Sequence, residues 1–496
     1  MQSIGKDLQK AISDTIEVSK KDEVYLKISC EASIAQEICD YFTFTVPGYT
    51  FMPAYRMKIW DGKIRLFNIH NRVLYGGLLE YVFKFAQNRN YKVVPDGDWW
   101  KPRKIEKNES FITDLNLPFE PRDYQLDGFY HALSYKKSLL VSPTASGKSL
   151  IIYMIVRALN VKTLIIVPTT SLVSQLYADF QEYGWDSAKF CHQVYAGQDK
   201  VSDKKVVIST WQSIYKLGRK LFEPYKLVIG DEAHGFKSKS LTSIMTKCVN
   251  AEYRIGTTGT LDGTQTHKLV LEGLFGKIYK VTTTAKLIDR KQLASFRIDI
   301  IVLKYPDDVC HQFRKIKYAD ELEFIVGHEK RNKYIRNLVL SLDGNTLLLF
   351  RLVKKHGRIL YDMIKEETDV KNRQTFFVYG GTETEVREQI RAIAEKERDA
   401  IIVASYGVYS TGINIRNLHN IIFASPSKSR IRNLQSIGRG LRKSKNKEKA
   451  TLYDIADDLS WKAHQNYTLD HFNQRIKIYN EERFDCKIYN ISIKIY

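Results

Sequence analysis

The pattern of hydrophobic and polar positions changes once along the chain, near residue 97. Before that point, alternating segments such as residues 24–28 predict half-buried strands, and two stretches with helical spacing lie among them. The segments MKIW and KIRLF flank Asp61-Gly62, a dipeptide that tolerates the positive φ angles of a tight hairpin turn. We therefore predict a small α+β domain over residues 1–96 that includes a β-hairpin.

Beyond a polar, charged linker at residues 97–116, short apolar strands alternate with longer helices, which is typical of a parallel sheet. Two such blocks occur, at residues 117–283 and 330–460, and a connector at residues 284–329 joins them. A helical segment and an alternating tail at residues 461–496 predict a last helix and an edge strand. The predicted fold class is α/β, with two tandem parallel-sheet lobes after a small α+β domain.

Composition narrows the class of protein. A chain of 496 residues is too long for a single core, and its apolar runs fall short of the roughly 18–20 residues that cross a membrane. The N-terminus lacks the apolar stretch of a secretion signal, and the six cysteines form no CxxC pair, so we expect neither a disulfide framework nor a zinc site. The net charge of +21 favours a polyanionic partner, most simply nucleic acid.

The first chemical motif, SPTASGKS at residues 142–149, follows a predicted strand and opens a predicted helix. In a phosphate-binding loop, Gly147 lets the backbone close around a phosphate, Lys148 supplies a point charge, and Ser149 can ligate Mg²⁺. Ser142 stands where the pattern GxxxxGK[ST] has its first glycine, and a Gly-Lys pair at a helix start also occurs by chance. The other loop residues expected to contact the nucleotide are Pro143, Thr144, Ala145 and Ser146.

An acidic pair, Asp231-Glu232 in YKLVIGDEAH, follows another predicted strand. Asp231 can hold Mg²⁺ through water, and Glu232 can orient and deprotonate the attacking water. Such a pair is commonly a solvated turn, but here it follows a phosphate loop at a suitable separation. The two motifs together predict a site that binds ATP with Mg²⁺ and hydrolyses it. His234 is either structural or couples the nucleotide state to motion.

The third motif, QSIGRGLR, lies in the second block. If the two lobes face each other, Arg439 and Arg442 reach the γ-phosphate as arginine fingers, which contribute about 10³–10⁵ in rate. A basic helix of this composition is otherwise typical of a contact with a phosphate backbone, and we expect the neighbouring cations to make that contact: Lys428, Arg430, Arg432, Lys443 and Lys445.

Five ordered segments resemble motifs I, II, III, V and VI of superfamily 2 helicases: SPTASGKS, DEAH, TGT, ASYGVYSTGIN and QSIGRGLR. The resemblance covers residues 119–459. It implies two RecA-like lobes with a nucleotide cleft between them, and an ATPase that moves on nucleic acid. Motif III reads TGT at residues 258–260 rather than the SAT of DEAD-box proteins, which weakens a DEAD-box RNA helicase interpretation.

The resemblance also implies site residues outside those five motifs. Gln125 in RDYQ is similar to the glutamine that reads adenine in the Q motif, and Thr411 and Gly412 of motif V would bridge nucleic acid and nucleotide cleft. Residues 165–175 and 208–213 resemble motifs Ia and Ib, which contact the phosphates of the tracking strand in the family. The contact residues that this implies are Thr169, Thr170, Thr210 and Trp211.

Within the superfamily, the segments IIVPTT, ASYGV, STGI and WDGKIRLF and the chain length look like those of the UvsW-type recombination helicases of phages. That resemblance implies an ATP-driven motor that remodels branched DNA, migrating Holliday junctions and regressing forks in recombination, repair and replication. We then expect a cytoplasmic protein, in the host cytoplasm if phage-encoded.

The predicted hairpin of the small domain carries Lys58, Lys63 and Arg65 around Trp60. Basic residues interleaved with aromatic ones can bind phosphates and stack on bases. Alternatively, the aromatic residues belong to the core and the lysines to a solvated face. The periodicity alone does not decide between these two interpretations.

The leading hypothesis is an ATP-dependent, Mg²⁺-requiring helicase or translocase acting on branched, duplex or single-stranded DNA. An RNA helicase and a duplex translocase that does not unwind remain alternatives, because motor motifs contact backbone phosphates and read no bases. A nucleic-acid-binding protein with a vestigial ATP site is a third hypothesis, against which the intact Lys148, Asp231, Glu232, Arg439 and Arg442 argue.

Overall fold

The computed structural model describes residues 14–107, 109–195, 197–370, 373–411, 415, 417–426, 429, 437–438 and 449–493. The chain divides into two compact units: the first comprises the residues up to Ser142 and Gly147–Val281, and the second comprises Pro143–Ser146 and the residues from Thr282 onward. Within the described ranges, no helix is both long enough and apolar enough to cross a membrane.

A small α+β domain opens the first unit. Its strands are β1 (Thr15–Lys20), β2 (Tyr25–Ser29), β3 (Thr43–Thr45), β4 (Lys63–Arg65), β5 (Val73–Tyr75) and β6 (Lys92–Pro95). Its helices are α1 (Ala32–Tyr41), α2 (Pro53–Arg56) and α3 (Leu79–Gln87). The mixed sheet has the order β5-β2-β1-β6, with β1 parallel to β6 and antiparallel to β2. Alternation in β2 buries Leu26 and Ile28 and exposes Lys27, as the sequence predicts.

The hairpin predicted around Asp61-Gly62 is wrong. Strand β4, which follows the turn, pairs antiparallel with the distant strand β3 rather than with MKIW. The MKIW residues, 57–60, form an irregular turn after the short helix α2, which begins at Pro53 because proline has the fixed φ that suits a first helical position. Gly62 adopts a positive φ of 78°, so the turn predicted at Asp61-Gly62 is confirmed. The strand predicted for MKIW, before the turn, is wrong.

The small domain packs against the first parallel-sheet lobe. The Tyr81 hydroxyl donates a 2.6 Å hydrogen bond to Glu272, which is only 3% exposed. The Lys137 ammonium lies 3.4 Å from the Glu23 carboxylate, and the backbone N–H of Glu23 donates to the Val249 carbonyl at 3.1 Å. Buried residues of both parts belong to one hydrophobic core, so the domain is not a detached appendage.

Seven parallel strands form the sheet of the first lobe, in the order β13-β7-β12-β11-β8-β10-β9. They are β7 (Lys137–Val141), β8 (Thr163–Val167), β9 (Cys191–Val194), β10 (Val206–Thr210), β11 (Leu227–Asp231), β12 (Tyr253–Thr258) and β13 (Ile278–Lys280). The helices are α4 (Glu109–Asp114), α5 (Asp123–Tyr135), α6 (Lys148–Leu159), α7 (Thr170–Glu182), α8 (Ser187–Phe190), α9 (Trp211–Ile214), α10 (Lys239–Lys247) and α11 (Gln265–Phe275). The sequence pattern predicts five strands in this lobe, and all five are confirmed as β7, β8, β10, β11 and β12: those near Leu139, Leu164, Val206, Leu227 and Tyr253. The strands β9 and β13, at the two edges, were missed.

The second unit contains another sheet of seven parallel strands, in the order β16-β17-β15-β18-β19-β14-β20. They are β14 (Ser295–Lys304), β15 (Thr346–Phe350), β16 (Thr375–Val378), β17 (Ile401–Ser405), β18 (Asn420–Phe423), β19 (Lys449–Asp458) and β20 (Asp485–Ser492). The helices are α12 (Thr284–Asp289), α13 (Asp307–Phe313), α14 (Tyr318–Gly327), α15 (Glu329–Ser341), α16 (Arg358–Val370), α17 (Thr384–Lys396), α18 (Tyr406–Thr411) and α19 (Tyr467–Glu481). The two sheets confirm the predicted α/β class with tandem parallel-sheet lobes.

The stretch interpreted as a connector contributes a full strand to this second sheet. All ten residues of β14 pair with β19 on one side, and eight pair with the C-terminal strand β20 on the other. The predicted edge strand is therefore present, but it starts at Asp485, and Ile493 lies just beyond it. Where the domains begin and end stays a prediction. The second sheet itself starts with β14, which precedes residue 330.

A buried ion pair fixes the C-terminal helix α19 to β19. Arg475 makes two 2.8 Å hydrogen bonds to the carboxylate of Asp454, and the Tyr479 hydroxyl donates a third at 2.7 Å. Arg475 is 1% exposed and Asp454 is fully buried, and a buried charge requires this degree of pairing. Helix α19 is therefore an integral part of the second unit.

Candidate active site and nucleic-acid surface

The loop between β7 and α6 has a backbone conformation that favours glycine at one position. Gly147 is the N-cap of α6 with a φ of 81°, and Ala145 also has a positive φ, of 66°. A Cβ built on Gly147 would lie 2.2 Å from Nε2 of Gln125. Position 147 therefore needs glycine both for its φ and because no side chain fits there.

Lys148 is the first residue of α6, and its ammonium donates a hydrogen bond to the Ser142 carbonyl at 3.3 Å. Ser142, which replaces the usual first glycine of the motif, is fully buried. Its backbone N–H donates to the carbonyl of Thr258 at 2.9 Å, which ties the start of the loop to the end of β12. Serine therefore replaces the usual glycine at a position that a backbone hydrogen bond fixes to the sheet.

The Asp231 carboxylate lies at the end of β11, where the register places Thr257 of β12 beside it. The Thr257 hydroxyl donates a 2.7 Å hydrogen bond to Asp231 Oδ1. Burial, followed by the charge of Glu232, raises the pKa of Asp231, whereas Lys148 and Thr257 act in the opposite direction. A desolvated carboxylate beside a like charge is a favourable place for a divalent cation, and its oxygen donors are those that Mg²⁺ prefers.

Glu232 occupies the left-handed region, with a φ of 51°. Its Oε2 lies 3.3 Å from His234 Nδ1, and the same nitrogen lies 3.1 Å from the hydroxyl of Thr258. Positive φ at a residue other than glycine costs free energy and is concentrated at functional sites. His234 therefore connects the acidic motif to the TGT motif, although the sequence left its role open.

Ser149, the predicted Mg²⁺ ligand, has a partner that the sequence did not indicate. Its hydroxyl lies 2.8 Å from the hydroxyl of Tyr183, which follows α7. Burial raises the pKa of Tyr183 to about 12, so the phenol is protonated at neutral pH. Nothing in the local pattern marks Tyr183, because only the packing of α7 against α6 brings it to the loop.

In the structure, the Gln125 side chain caps a helix and borders the phosphate loop. It is 5% exposed, its Oε1 accepts a 2.8 Å hydrogen bond from the backbone N–H of Arg122, and this bond caps α5. Its Nε2 end faces Gly147 of the phosphate loop. Adenine recognition by Gln125 stays a prediction.

The residues predicted to contact the tracking strand lie at or just beyond the carboxyl ends of β8 and β10, which are adjacent parallel strands. Thr169 caps α7 by accepting from the backbone N–H of Leu172 at 3.4 Å, and Thr170 is the first residue of that helix. The Thr210 hydroxyl lies 2.9 Å from that of Ser213. Trp211 begins α9, and the next residue, Gln212, donates to the Pro168 carbonyl at 3.3 Å. The two segments therefore meet at one edge of the sheet.

The cations predicted for nucleic-acid binding in the small domain are exposed. Lys58, at a φ of 57°, and Lys63 lie on the surface, and Arg65 pairs with Asp61 at 2.5 Å. Trp60 is half-buried, and its Nε1 donates to the Lys63 carbonyl at 2.8 Å. The structure thus combines elements of both earlier interpretations, with solvated cations around a partly buried indole.

Family models match three stretches of the chain: "DNA helicase UvsW, N-terminal" over residues 15–96, "Type III restriction enzyme, res subunit" over residues 118–263, and "Helicase conserved C-terminal domain" over residues 330–444. The ATP-dependent DNA helicase uvsW of Enterobacteria phage T4 is 35% identical over 96% of this chain and 100% of that protein. This chain belongs to the UvsW helicase family.

One solved structure of the UvsW family, one further sequence relative and one fold relative also match this chain. The crystal structure of T4 UvsW matches with a TM-score of 0.50 and 33% identity over 96% of this chain and 99% of that one. The DNA 3'-5' translocase XPB2 of Sulfurisphaera tokodaii is 26% identical over 75% of this chain and 89% of its own. The restriction-modification enzyme LlaBIII, with a TM-score of 0.56 and 16% identity, shares the fold over 82% of this chain and 34% of that enzyme.

Three predicted site residues, Arg439, Arg442 and Gly412, lie outside the described residues. Thr411 is the last residue of α18. Of the predicted site, the structure therefore places the UvsW-family motifs of the first lobe, where Lys148, Asp231 and Glu232 come together at the carboxyl ends of parallel strands.

Proposed function

We propose that this protein is an ATP-dependent DNA helicase or translocase that remodels branched DNA, moving Holliday junctions and regressing forks. The observation that carries the proposal is the convergence of Lys148, Asp231 and Glu232 at one edge of the first sheet. The identity to the phage T4 helicase over nearly the whole chain supports DNA as the substrate.

Each site residue of the first lobe has a separate role in ATP hydrolysis. The loop at residues 143–147 and the start of α6 bind the β- and γ-phosphates, with Lys148 as their point charge. Glu232 orients and deprotonates the attacking water. His234, which lies against both Glu232 and Thr258, positions that carboxylate. Gln125 reads the adenine edge.

A bound Mg²⁺ would be held by Ser149 and, through water, by Asp231, and it would neutralise charge that develops on the phosphates. Ser149 would bind the ion through a lone pair of its hydroxyl oxygen, which leaves its O–H free to donate to Tyr183, its partner in the structure. From the second lobe, Arg439 and Arg442 act as arginine fingers, and Gly412 contacts the nucleotide. For the first lobe we keep the predicted limits, residues 117–283; for the second we extend residues 330–460 at both ends to include β14 and β20.

Contact with DNA is spread over the protein. Thr169, Thr170, Thr210, Trp211 and Thr411 bind the tracking strand, and Lys58, Trp60, Lys63 and Arg65 bind the duplex ahead of it. The net charge of +21 speeds capture of a polyanion and makes affinity depend steeply on salt. We further propose that the protein acts in the cytoplasm, in the host cytoplasm if it is phage-encoded, and the similarity to a phage helicase supports this.

The test is the steady-state ATPase rate with single-stranded DNA, duplex DNA, a four-way junction and RNA, at one salt concentration. We expect the four-way junction to stimulate most. Stimulation by RNA alone would replace the proposal by an RNA helicase, and stimulation by none of the four would leave a nucleotide site without a motor.

Two variants test the assignment of the nucleotide site. Lys148→Ala is expected to abolish ATP turnover and to leave DNA binding intact, and persistent turnover would show that the phosphate loop is misassigned. Arg442→Ala is expected to lower turnover by about 10³ while changing the affinity for ATP little. An unchanged rate in that variant would remove the finger role.

A further inference from the structure

Exposed apolar side chains are concentrated in one short segment of the small domain. Among the described residues, five large apolar side chains are more than 60% exposed: Phe51 at 76%, Met57 at 62%, Ile59 at 74%, Val201 at 64% and Val370 at 87%. Three of the five fall within nine residues of the chain. Single exposed apolar residues are ordinary, but a cluster of three indicates a contact surface.

This segment, residues 49–60, which we call the apolar knuckle, is held in a defined shape. The rings of Tyr49 and Tyr55 meet edge to face with 4.6 Å between centroids. Gly62 lies under Tyr49, since a Cβ on Gly62 would be 2.3 Å from that ring. The backbone N–H groups of Ile59 and Trp60 both donate to the Ala54 carbonyl, at 2.9 and 3.2 Å. The apolar tips are therefore presented by an ordered element.

Trp60 is not one of these tips. Its indole N–H is bonded to the Lys63 carbonyl and the side chain is half-buried, so within the knuckle it ties the segment to β4. The exposed tips are Phe51, Met57 and Ile59. The sequence indicated none of them, because the pattern assigned Met57 and Ile59 to a strand and gave Phe51 no role.

The knuckle and the residues that directly follow it are strongly basic. Between residues 49 and 65 the chain has four cations, Arg56, Lys58, Lys63 and Arg65, and one acid, Asp61. The acid is paired with Arg65. An apolar protein partner would meet these cations at a cost, whereas a polyanion that also offers an apolar surface satisfies both features.

The open end of a DNA duplex is such a partner, because phosphates flank a stacked and apolar base pair there. Apolar wedges that enter a base stack from a basic surface are a known means of parting it. We propose that the apolar knuckle is the strand-separating wedge of this protein, with Phe51, Met57 and Ile59 placed against the terminal base pair at a branch point. The proposal rests on the proposed function and names the element that separates the strands.

The test uses the full-length triple variant Phe51→Ser, Met57→Ser, Ile59→Ser. All three side chains are largely exposed, so the thermal unfolding midpoint should stay close to that of the parent protein. We expect junction-stimulated ATP turnover to remain and the base pairs opened per ATP to fall about tenfold, which corresponds to losing one base-stacking contact.

The matched control is Val201→Ser with Val370→Ser, which removes two equally exposed apolar side chains elsewhere on the surface. The control should open base pairs at the parent rate. If the parent protein itself shows no DNA-stimulated turnover, the proposed function fails rather than the wedge. If the triple variant opens base pairs as the control does, the wedge is wrong and the knuckle is left as a contact surface for protein.

A second measurement does not depend on ATP. A 2-aminopurine placed in the terminal base pair of a forked DNA should brighten when the parent protein and the control bind, because the base loses its stacking. The triple variant should bind the fork with little brightening. Equal brightening by the triple variant would overturn the proposal.

Discussion

The imidazole of His234 lies 3.1 Å from the hydroxyl of Thr258, which joins the DEAH motif to the TGT motif within the first lobe. The Thr258 hydroxyl donates its own hydrogen to the Thr260 carbonyl at 3.0 Å. The hydrogen between the two side chains therefore belongs to Nδ1 of His234, and the same N–H faces Glu232 at 3.3 Å. The proposed general base is thus oriented through a residue of β12.

Replacing Thr258 by valine removes the acceptor from His234 and keeps the side-chain volume. We expect kcat for ATP to fall about tenfold with KM nearly unchanged, because the hydrogen bond that holds His234 beside the base is lost while the phosphate contacts stay. Steady-state kinetics with saturating DNA measures both constants. Thr246→Val, which loses a hydroxyl bond to Ser243 in α10, is the matched control. A rise in KM alone would contradict the positioning role.

Gly147→Ala should lose ATP binding and lower stability. A left-handed φ costs alanine about 1–2 kcal/mol, and the new Cβ also collides with Gln125. Gly197→Ala is a sharp control, because Gly197 has a similar φ of 84° and nothing within 4 Å of the Cβ position. Denaturant unfolding should show the larger loss for Gly147→Ala. Adding Gln125→Ala should recover only the steric part, and equal losses in the two single variants would show that the collision is unimportant.

Asp231→Asn should raise the free energy of unfolding of the nucleotide-free protein while abolishing ATP turnover. The folded-state pKa of Asp231 is raised above its usual 3.8, so the ionised carboxylate destabilises the fold at neutral pH. That penalty disappears as the pH falls through the folded-state pKa. The gain in stability should therefore be present at neutral pH and shrink on acidification.

Chemical unfolding of the parent protein and of Asp231→Asn, from neutral pH down through the folded-state pKa of Asp231, measures the difference in stability. Asp98→Asn serves as the control, since that side chain is 77% exposed and its replacement should change stability little at any pH. A neutral or destabilising Asp231→Asn at neutral pH would mean that the burial of this carboxylate is already offset in the free protein.

The two exposed lysines of the small domain should report on phosphate contacts. Lys58→Gln with Lys63→Gln is expected to reduce the slope of log affinity against log salt for duplex DNA by about 1.8, at about 0.9 per phosphate. Fluorescence anisotropy over a salt series measures that slope. The same change at Lys315 and Lys487, exposed lysines of the second unit, is the control. Equal slopes in the parent and the Lys58/Lys63 variant would mean that these lysines do not touch the backbone.

The position of the small domain affects how it can be tested. Because Tyr81 and Glu23 bond to residues of the first lobe, deleting residues 1–96 would expose the nearly buried Glu272 and part of the shared core. Lost activity after such a truncation would report on stability as much as on DNA binding. Point variants on the exposed surface of the domain separate these two effects.

The sequence by itself determined the features that depend on neighbouring residues. Apolar segments of strand length, alternating with helices, predicted the two parallel-sheet lobes, since strand and helix periods are local properties. The phosphate loop and the DEAH pair could be recognised because each needs several residue types in a fixed order after a strand. The Asp61-Gly62 turn was also legible, because a positive φ is a preference of the dipeptide itself.

The tertiary structure alone decided everything that depends on long-range pairing. Strand β4 pairs with β3 instead of its neighbour in sequence, and β14 joins the second sheet beside β19, more than 150 residues later. Tyr183 reaches Ser149, and Phe51, Met57 and Ile59 become exposed, through packing that no local pattern encodes. The physical reason is that burial and hydrogen-bond partners are set by which surfaces the folded chain brings together, whereas sequence periodicity reports only which face of each element is apolar.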